Sequence, residues 1–178
     1  LVGLKVDVFV ASSTAGALAA KNASRTIPIV FYNVTDPVAR GLVDSSAGPG
    51  GNLTGLTNIT VELAGKRLEL LNETIPKLIR VGVMWDPQGA SSTLQWKESQ
   101  LSARELGFQL HSMDVSSADR YESAFKEATK AGIAALTVTD HALAFSNHKR
   151  IVDLAEKSRL PAIYGRGDYV DSGGLMSY

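Results

Sequence analysis

The alternation of short apolar segments with amphipathic ones is the feature that most constrains the fold of this chain. Val6–Ala11, Ile27–Tyr32 and Val81–Asp86 are apolar runs rich in valine and isoleucine, which is typical of strands buried on both faces. A short polar loop and a helical pattern follow each run, and this unit recurs along the chain. Such alternation predicts an α/β fold with doubly wound parallel sheets.

A charge-rich amphipathic helix, expected over Val61–Leu71, separates two series of these units. We therefore expect two parallel-sheet lobes, of which the first is incomplete. Residues 1–57 are assigned to the N-terminal lobe and residues 58–172 to the C-terminal lobe.

Three further elements are specific enough to compare with a structure. Asp36 followed by Pro37 fits an N-cap and the first position of a helix. His141–Ser158 is expected to form one helix. Phe108–Val115 is a more amphipathic strand, which favours a place at a sheet edge.

Composition excludes several classes of function. The 18 basic and 18 acidic residues give no net charge, which disfavours nucleic acid as a partner. There is no cysteine, so disulfides, thiolate metal sites and cysteine nucleophiles are excluded. We expect no cofactor and no metal.

The first and last residues also carry expectations. The chain starts without methionine or a signal-peptide pattern and runs directly into an apolar strand. We therefore expect an internal fragment of a longer protein, with uncovered sheet edges and apolar surface. Such a fragment is expected to self-associate.

Candidate ligand-binding residues come from the strand ends, because ligands of open α/β sheets bind beyond the carboxyl ends of the strands. The residues at these positions are small and polar. The candidates are Ser12, Ser13, Thr14, Asn33, Thr35, Asp36, Asp86, Asp140, His141, Asp168 and Tyr169.

The chemistry of these candidates fits a charged small molecule. Hydroxyls at Ser12–Thr14 stand where a strand gives way to a helix, whose free N–H groups and dipole attract a carboxylate. One of them can equally be an ordinary N-cap. Asp140 and Asp168 could pair with an ammonium group, although Asp140 can also be a helix N-cap. Asp36 and Asp86 precede prolines and favour turns or caps.

Enzyme motifs are weak. The chain contains no nucleophile elbow and no phosphate-binding glycine loop after a strand. Its three histidines lack metal-site spacing. We therefore predict that the protein is not an enzyme.

A resemblance sharpens these expectations. Residues 25–58, RTIPIVFYNVTDPVARGLVDSSAGPGGNLTGLTN, resemble a block of bacterial ABC transporter substrate-binding proteins of the tryptophan and tyrosine type. Residues 66–87 and 159–178 look like the next two blocks of that family. The resemblance implies a type I periplasmic binding protein fold, whose two lobes are hinged by crossings near Leu53–Thr57 and Gly173–Tyr178. Residues 173–178 would start the crossing back to the first lobe.

The same resemblance implies an extracytoplasmic solute-binding component of an ABC importer. Its ligand would be a small zwitterionic solute, an amino acid of aromatic or branched type, held between the lobes and delivered to a membrane permease. The protein would be periplasmic or membrane-anchored on the outside of the cell. Relatives often carry Asn at the position of His141, which leaves the identity of the ligand open.

Two alternatives stay open. The same fold can serve as the ligand-sensing domain of a signalling protein, which neighbouring sequence would reveal. An α/β enzyme with an aspartate or His141 as acid or base is the other alternative, although no nucleophile–base–orienter set can be assembled.

Overall fold

The structure is a computed structural model that describes Gly3 and residues 5–178, except for the side chain of Asn33. The chain divides into two compact units, one ending at Ile59 and the other beginning at Thr60. This boundary lies close to the one expected after residue 57. Residues 173–178 belong to the second unit, and their expected role as a crossing stays a prediction.

Unit 1, the residues up to Ile59, consists in its described part of a three-stranded parallel sheet and one α-helix. Its strands lie in the order β1-β2-β3. The elements are β1 Phe9–Ala11, α1 Thr14–Ala23, β2 Ile29–Thr35 and β3 Leu53–Asn58.

The two faces of this sheet differ because side chains alternate along each strand. Phe9 and Phe31 point to the face that packs with Ala17 of α1. The opposite face carries exposed apolar side chains, namely Val10, Val30, Tyr32 and Leu56.

The prediction of a helix starting at Asp36 and Pro37 is wrong. Strand β2 continues to Thr35, and residues 37–41 form turns instead. The Asp36 carboxylate accepts a hydrogen bond from the Ala39 N–H at 3.0 Å, as a cap does. Gly41 then adopts φ 64°, and this left-handed residue ends the single turn before a helix can propagate.

Unit 2, Thr60–Tyr178, contains a five-stranded parallel sheet with the order β5-β4-β6-β7-β8. The expected edge position of β5 is confirmed. The strands are β4 Arg80–Trp85, β5 Gln109–Asp114, β6 Ala135–Val138, β7 Ala162–Tyr164 and β8 Met176–Ser177.

Helices cover both faces of this sheet. Helices α2 and α3 pack on the face that carries Val81 and Ala135, and α4 and α6 pack on the face that carries Met84 and Leu136. The helices are α2 Glu62–Thr74, α3 Ala90–Leu106, α4 Tyr121–Lys130, α5 Ala142–Ser146, α6 His148–Lys157 and α7 Gly167–Asp171, with a 3₁₀ turn at Ala118–Arg120.

The single helix expected over His141–Ser158 is also wrong, because it is broken into α5 and α6 at Asn147. The Asn147 side-chain amide donates to the Leu143 carbonyl at 2.8 Å. Side chains that bond to the backbone in this way compete with helix propagation. Within the described residues, no helix is both long and apolar enough to span a bilayer.

Candidate functional site

The carboxyl ends of the unit 2 strands lie at one edge of the sheet, because all five strands are parallel. Asp86 follows β4, and Asp140 and His141 follow β6. Asp168 and Tyr169 lie in α7, directly after β7. The structure therefore places the five candidates of this unit at a single edge.

Asp140 is the carboxylate at this edge whose charged form is disfavoured by burial. Its side chain is half-buried, and burial raises the pKa of the Asp140 carboxyl above its usual range. The charges of Arg166, Arg67 and His141 oppose that rise in pKa, and Asp168 adds to it. A charged group held where its charge is disfavoured is typical of a functional site.

His141 is the N-cap of α5. Its Nδ1 accepts a hydrogen bond from the Ala144 N–H at 3.4 Å. The N-cap that was considered for Asp140 therefore belongs to the next residue. Burial lowers the pKa of His141, with Asp86 and Asp140 opposing the change. Its Nε2 is buried and finds no hydrogen-bond partner among the residues that the structure describes.

Asp168 is partly exposed at the same edge. Its carboxylate pairs with Arg166 at 3.1 Å, and the hydrogen bond from Arg166 lowers the pKa of Asp168. The Arg166 guanidinium also lies 4.3 Å from the centre of the Phe145 ring, a cation–π contact. Arg166 is thus an exposed cation next to two candidate carboxylates.

Tyr169 is buried rather than open to the edge. Its ring stacks on Tyr164 with the ring centres 4.4 Å apart, and burial raises the pKa of its hydroxyl. Asp86 serves as a turn residue, since its carboxylate accepts from the Gln88 N–H at 2.9 Å.

The candidates of unit 1 lie at the carboxyl ends of β1 and β2. Ser13 is the N-cap of α1, with its hydroxyl accepting from the Gly16 N–H at 3.2 Å. Ser12 is exposed and Thr14 begins the helix. The N–H groups of Thr14 and Ala15 have no partner inside the helix, as at any helix start.

The remaining candidates of unit 1 follow β2 or end it. Thr35 is buried and donates to Asn58 Oδ1 at 3.1 Å. Asp36 adopts φ 47° and caps the turn described above. Asn33 lies within β2, and its side chain is outside the described part of the structure.

Three buried polar residues behind the edge of unit 2 were not among the candidates. Ser92 of α3 accepts from the Asp86 N–H at 2.8 Å and bonds to the Thr139 hydroxyl at 2.7 Å. Gln95, three residues further along α3, bonds to the Asp140 backbone, and Arg67 of α2 bonds to Gln95.

A signal for one of these residues was present in the sequence. Arg67 stands four residues after Leu63 and four before Leu71, so it lies on the apolar stripe of α2. The N-terminal half of α3 offers no apolar stripe that would have marked Ser92 and Gln95 as buried. No group of three or more metal-ligating side chains occurs in the part of the chain that the structure describes.

Parallel sheets in two successive units, with polar residues at the carboxyl ends of their strands, define a type I periplasmic binding protein fold. The chain matches the family model of the ABC transporter substrate binding protein over residues 1–178. The chain therefore belongs to the ABC transporter substrate-binding protein family.

Individual relatives agree with this assignment. The chain is 30% identical over 172 residues to a tyrosine-binding protein of Clostridioides difficile (strain R20291), covering 96% of this chain and 49% of that protein. It superposes on a conserved domain protein from Vibrio cholerae with a TM-score of 0.84 and 28% identity, covering 99% of this chain and 58% of that one.

A third relative was solved with its ligand. It is an ABC domain from Streptococcus pneumonia in complex with L-Trp, with a TM-score of 0.81, 25% identity and coverage of 99% of this chain and 60% of that one. The chain thus spans about half the length of the curated relative that it matches. The family is a substrate-binding, non-enzymatic class that acts outside the cytoplasm.

Proposed function

We propose that this chain captures a zwitterionic amino acid, of aromatic or branched type, as the solute-binding component of an ABC importer. The solute would bind at the carboxyl ends of the strands and be handed to the membrane permease. The protein would act in the periplasm or attached to the outer side of the membrane. The observation that carries this proposal is the edge of unit 2, where the half-buried Asp140 interacts electrostatically with the exposed Arg166, which is itself paired with Asp168 at 3.1 Å.

Each unit, taken by itself, carries chemistry that suits one charged end of such a ligand. The start of α1 in unit 1 offers backbone N–H groups and the positive end of a helix dipole, which suit a carboxylate. Asp140 in unit 2 offers a carboxylate for the ammonium group. A bound ammonium would also offset the burial that makes the Asp140 charge unfavourable.

The relatives support the class of solute. One is described as a tyrosine-binding protein and another was solved with L-Trp. An aromatic amino acid is therefore the first ligand to test, and a branched one the second.

Isothermal titration calorimetry of the intact protein against L-tryptophan, L-tyrosine and L-leucine tests the proposal. We expect heat of binding with at least one of these amino acids, and a loss of affinity of about tenfold or more, about 1.4 kcal/mol, in Asp140→Asn. The matched control is Asp153→Asn, which removes an exposed carboxylate from α6 and should bind normally. A folded protein that binds none of the common amino acids would contradict the proposal.

A further inference from the structure

Two buried polar side chains link α2 and α3 behind the candidate site. Arg67 of α2 is 1% exposed and Gln95 of α3 is 0% exposed. The Arg67 guanidinium donates to the side-chain oxygen of Gln95 at 3.2 Å. Both side chains are polar, so the hydrophobic effect does not account for their burial. Their hydrogen bonds must therefore explain their positions.

Gln95 holds both backbone groups of Asp140. Its side-chain oxygen accepts from the Asp140 N–H at 2.9 Å, and its side-chain nitrogen donates to the Asp140 carbonyl at 3.1 Å. An amide side chain thus pairs with Asp140 as a neighbouring strand would. The direction of the Asp140 carboxylate is therefore set by α3 and not only by the sheet.

Arg67 fixes Gln95 relative to two further backbone positions. Its guanidinium donates to the carbonyl of Thr60 at 3.2 Å and to the carbonyl of Tyr178 at 3.1 Å. Thr60 is the first residue of unit 2, and Tyr178 follows β8, with its own N–H bonded to the Tyr164 carbonyl at 2.9 Å. One cation thus joins the start of the unit to the loop positions at the edge of its sheet.

Stability of the fold does not by itself explain why a guanidinium is buried between α2 and α3. Burial lowers the pKa of Arg67 to about 10, and the charge of Asp140 opposes this change. Two of its acceptors, the Thr60 carbonyl and the Gln95 amide oxygen, are neutral, and its Nε is buried without a partner among the described residues. Apolar residues of similar volume are often as good or better for stability than buried charges, so a role in the site accounts better for this pair.

We propose that Arg67 and Gln95 are positioning residues for solute binding: Gln95 orients the Asp140 peptide, and Arg67 holds Gln95 in register with Thr60 and Tyr178. The proposal rests on the proposed function, in which Asp140 contacts the solute. It adds that Thr60, at the beginning of unit 2, is coupled to the Asp140 carboxylate through two side chains that do not touch the solute.

Amide hydrogen exchange at Asp140 measures this arrangement directly. The matched reference is the Thr139 N–H, which bonds to the Met84 carbonyl at 3.0 Å in the adjacent strand. In Gln95→Met, which keeps the side-chain length, we expect Asp140 to exchange about tenfold faster or more, while Thr139 is unchanged. Arg67→Lys should also accelerate exchange at Asp140. This variant keeps Gln95 but loses the guanidinium that holds the Gln95 side chain in place.

Calorimetry with L-tryptophan, L-tyrosine and L-leucine provides the second readout. Both variants should weaken the best of these ligands by about tenfold, about 1.4 kcal/mol. Gln95→Glu retains an oxygen for the Asp140 N–H and for Arg67, so it should restore slow exchange at Asp140. The controls are Gln100→Met on α3 and Lys66→Met on α2, which should leave exchange and affinity as in the unmodified protein.

The outcomes separate the alternatives. Equal acceleration at Asp140 and Thr139 would mean general loosening and would overturn the proposal. Unchanged exchange at Asp140 in Arg67→Lys would overturn the part assigned to Arg67. If the unmodified protein binds none of the amino acids, the proposed function fails, while the exchange rates still decide whether the pair orients Asp140. If Gln95→Met does not fold, Arg67→Lys carries the comparison, with Gln95→Glu as the variant expected to keep slow exchange at Asp140.

Discussion

Asp140 illustrates how a single residue can be retained at the expense of stability. Burial raises the pKa of its carboxyl, so the unfolded chain loses this proton at a lower pH than the folded protein does. As pH rises through that interval, the unfolded state binds fewer protons and the folded state loses stability. We therefore predict that Asp140→Asn increases the free energy of unfolding at pH 7 while it weakens amino acid binding.

The pH dependence makes this prediction specific. Below the ordinary pKa of aspartate, about 3.9, the carboxyl is protonated in both states, so the gain from Asp140→Asn should vanish there. Urea unfolding at a series of pH values, followed by circular dichroism, measures the difference. Asp153→Asn is the control, since that carboxylate is exposed. A stability gain that is equal at acidic and neutral pH would contradict the assigned cause.

Residues at strand ends could be predicted from the sequence, whereas their supporting residues mostly could not. Asp86 and Asp140 follow apolar runs, and a parallel sheet necessarily brings such positions to one edge. The roles of Gln95 and Ser92 depend on which turn of α3 meets which strand, and that is a tertiary fact. That His141 and not Asp140 is the N-cap of α5 depends on where the helix begins, which the sequence pattern did not resolve.

At the scale of elements, α2 and α3 approach each other closely through Gly65. A Cβ atom at this position would collide with the Ser102 hydroxyl and lie 3.4 Å from the Ser102 Cβ. Alanine favours a helix over glycine by about 1 kcal/mol, and in this position the collision should cancel that gain. We predict that Gly65→Ala is neutral or destabilising in the native sequence.

A double-mutant cycle checks this prediction. Ser102→Ala removes the hydroxyl and leaves a contact distance that a new Cβ can tolerate. Gly65→Ala should then stabilise by about 1 kcal/mol in the Ser102→Ala background, as measured by urea unfolding. The same effect of Gly65→Ala in both backgrounds would show that Ser102 does not limit the approach of the helices.

Strand β4 and helix α3 are also joined by the two tryptophans of the chain. Trp85 and Trp96 stack with ring centres 5.2 Å apart and planes inclined by 10°, and the Trp85 indole donates to the Ser112 hydroxyl at 2.7 Å. Stacked indoles couple their electronic transitions, so we predict a paired positive and negative band in the far-ultraviolet circular dichroism. Trp96→Phe should abolish the pair of bands, and Tyr32→Phe, a ring change in unit 1, should not.

Elements were predictable where one local signal dominated. The apolar run Val81–Asp86 overlaps β4, and the amphipathic run FQLHSMDV contains β5 at the sheet edge. The predictions failed where a single residue overrode a helical pattern, as Gly41 does after Pro37 and Asn147 does between α5 and α6. Helix α7 was missed because Gly167–Asp171 is too short to show a helical period.

At the scale of the whole molecule, the sheet of unit 1 leaves one face uncovered. Parallel sheets are normally covered on both faces, and in the described residues α1 covers one. Val10 is 68% exposed and Leu56 is 73% exposed on the other. Strands β1 and β3 are also edges of this sheet, and open edges pair readily with other chains. We therefore predict that this 178-residue chain self-associates, with the uncovered face of unit 1 as the contact.

Light scattering coupled to size-exclusion chromatography measures the mass of the particle. We expect at least a dimer for the unmodified chain, and a monomer for Leu56→Lys, because a charge on the contact face must be desolvated on association. Leu175→Lys is the matched control, since Leu175 is 71% exposed but lies in unit 2; it should leave the mass unchanged. A monomeric unmodified chain would refute self-association, and equal effects of the two substitutions would refute the assignment to the face of unit 1. The face is chosen because its apolar side chains are adjacent on neighbouring strands, whereas Leu175 precedes an edge strand of two residues.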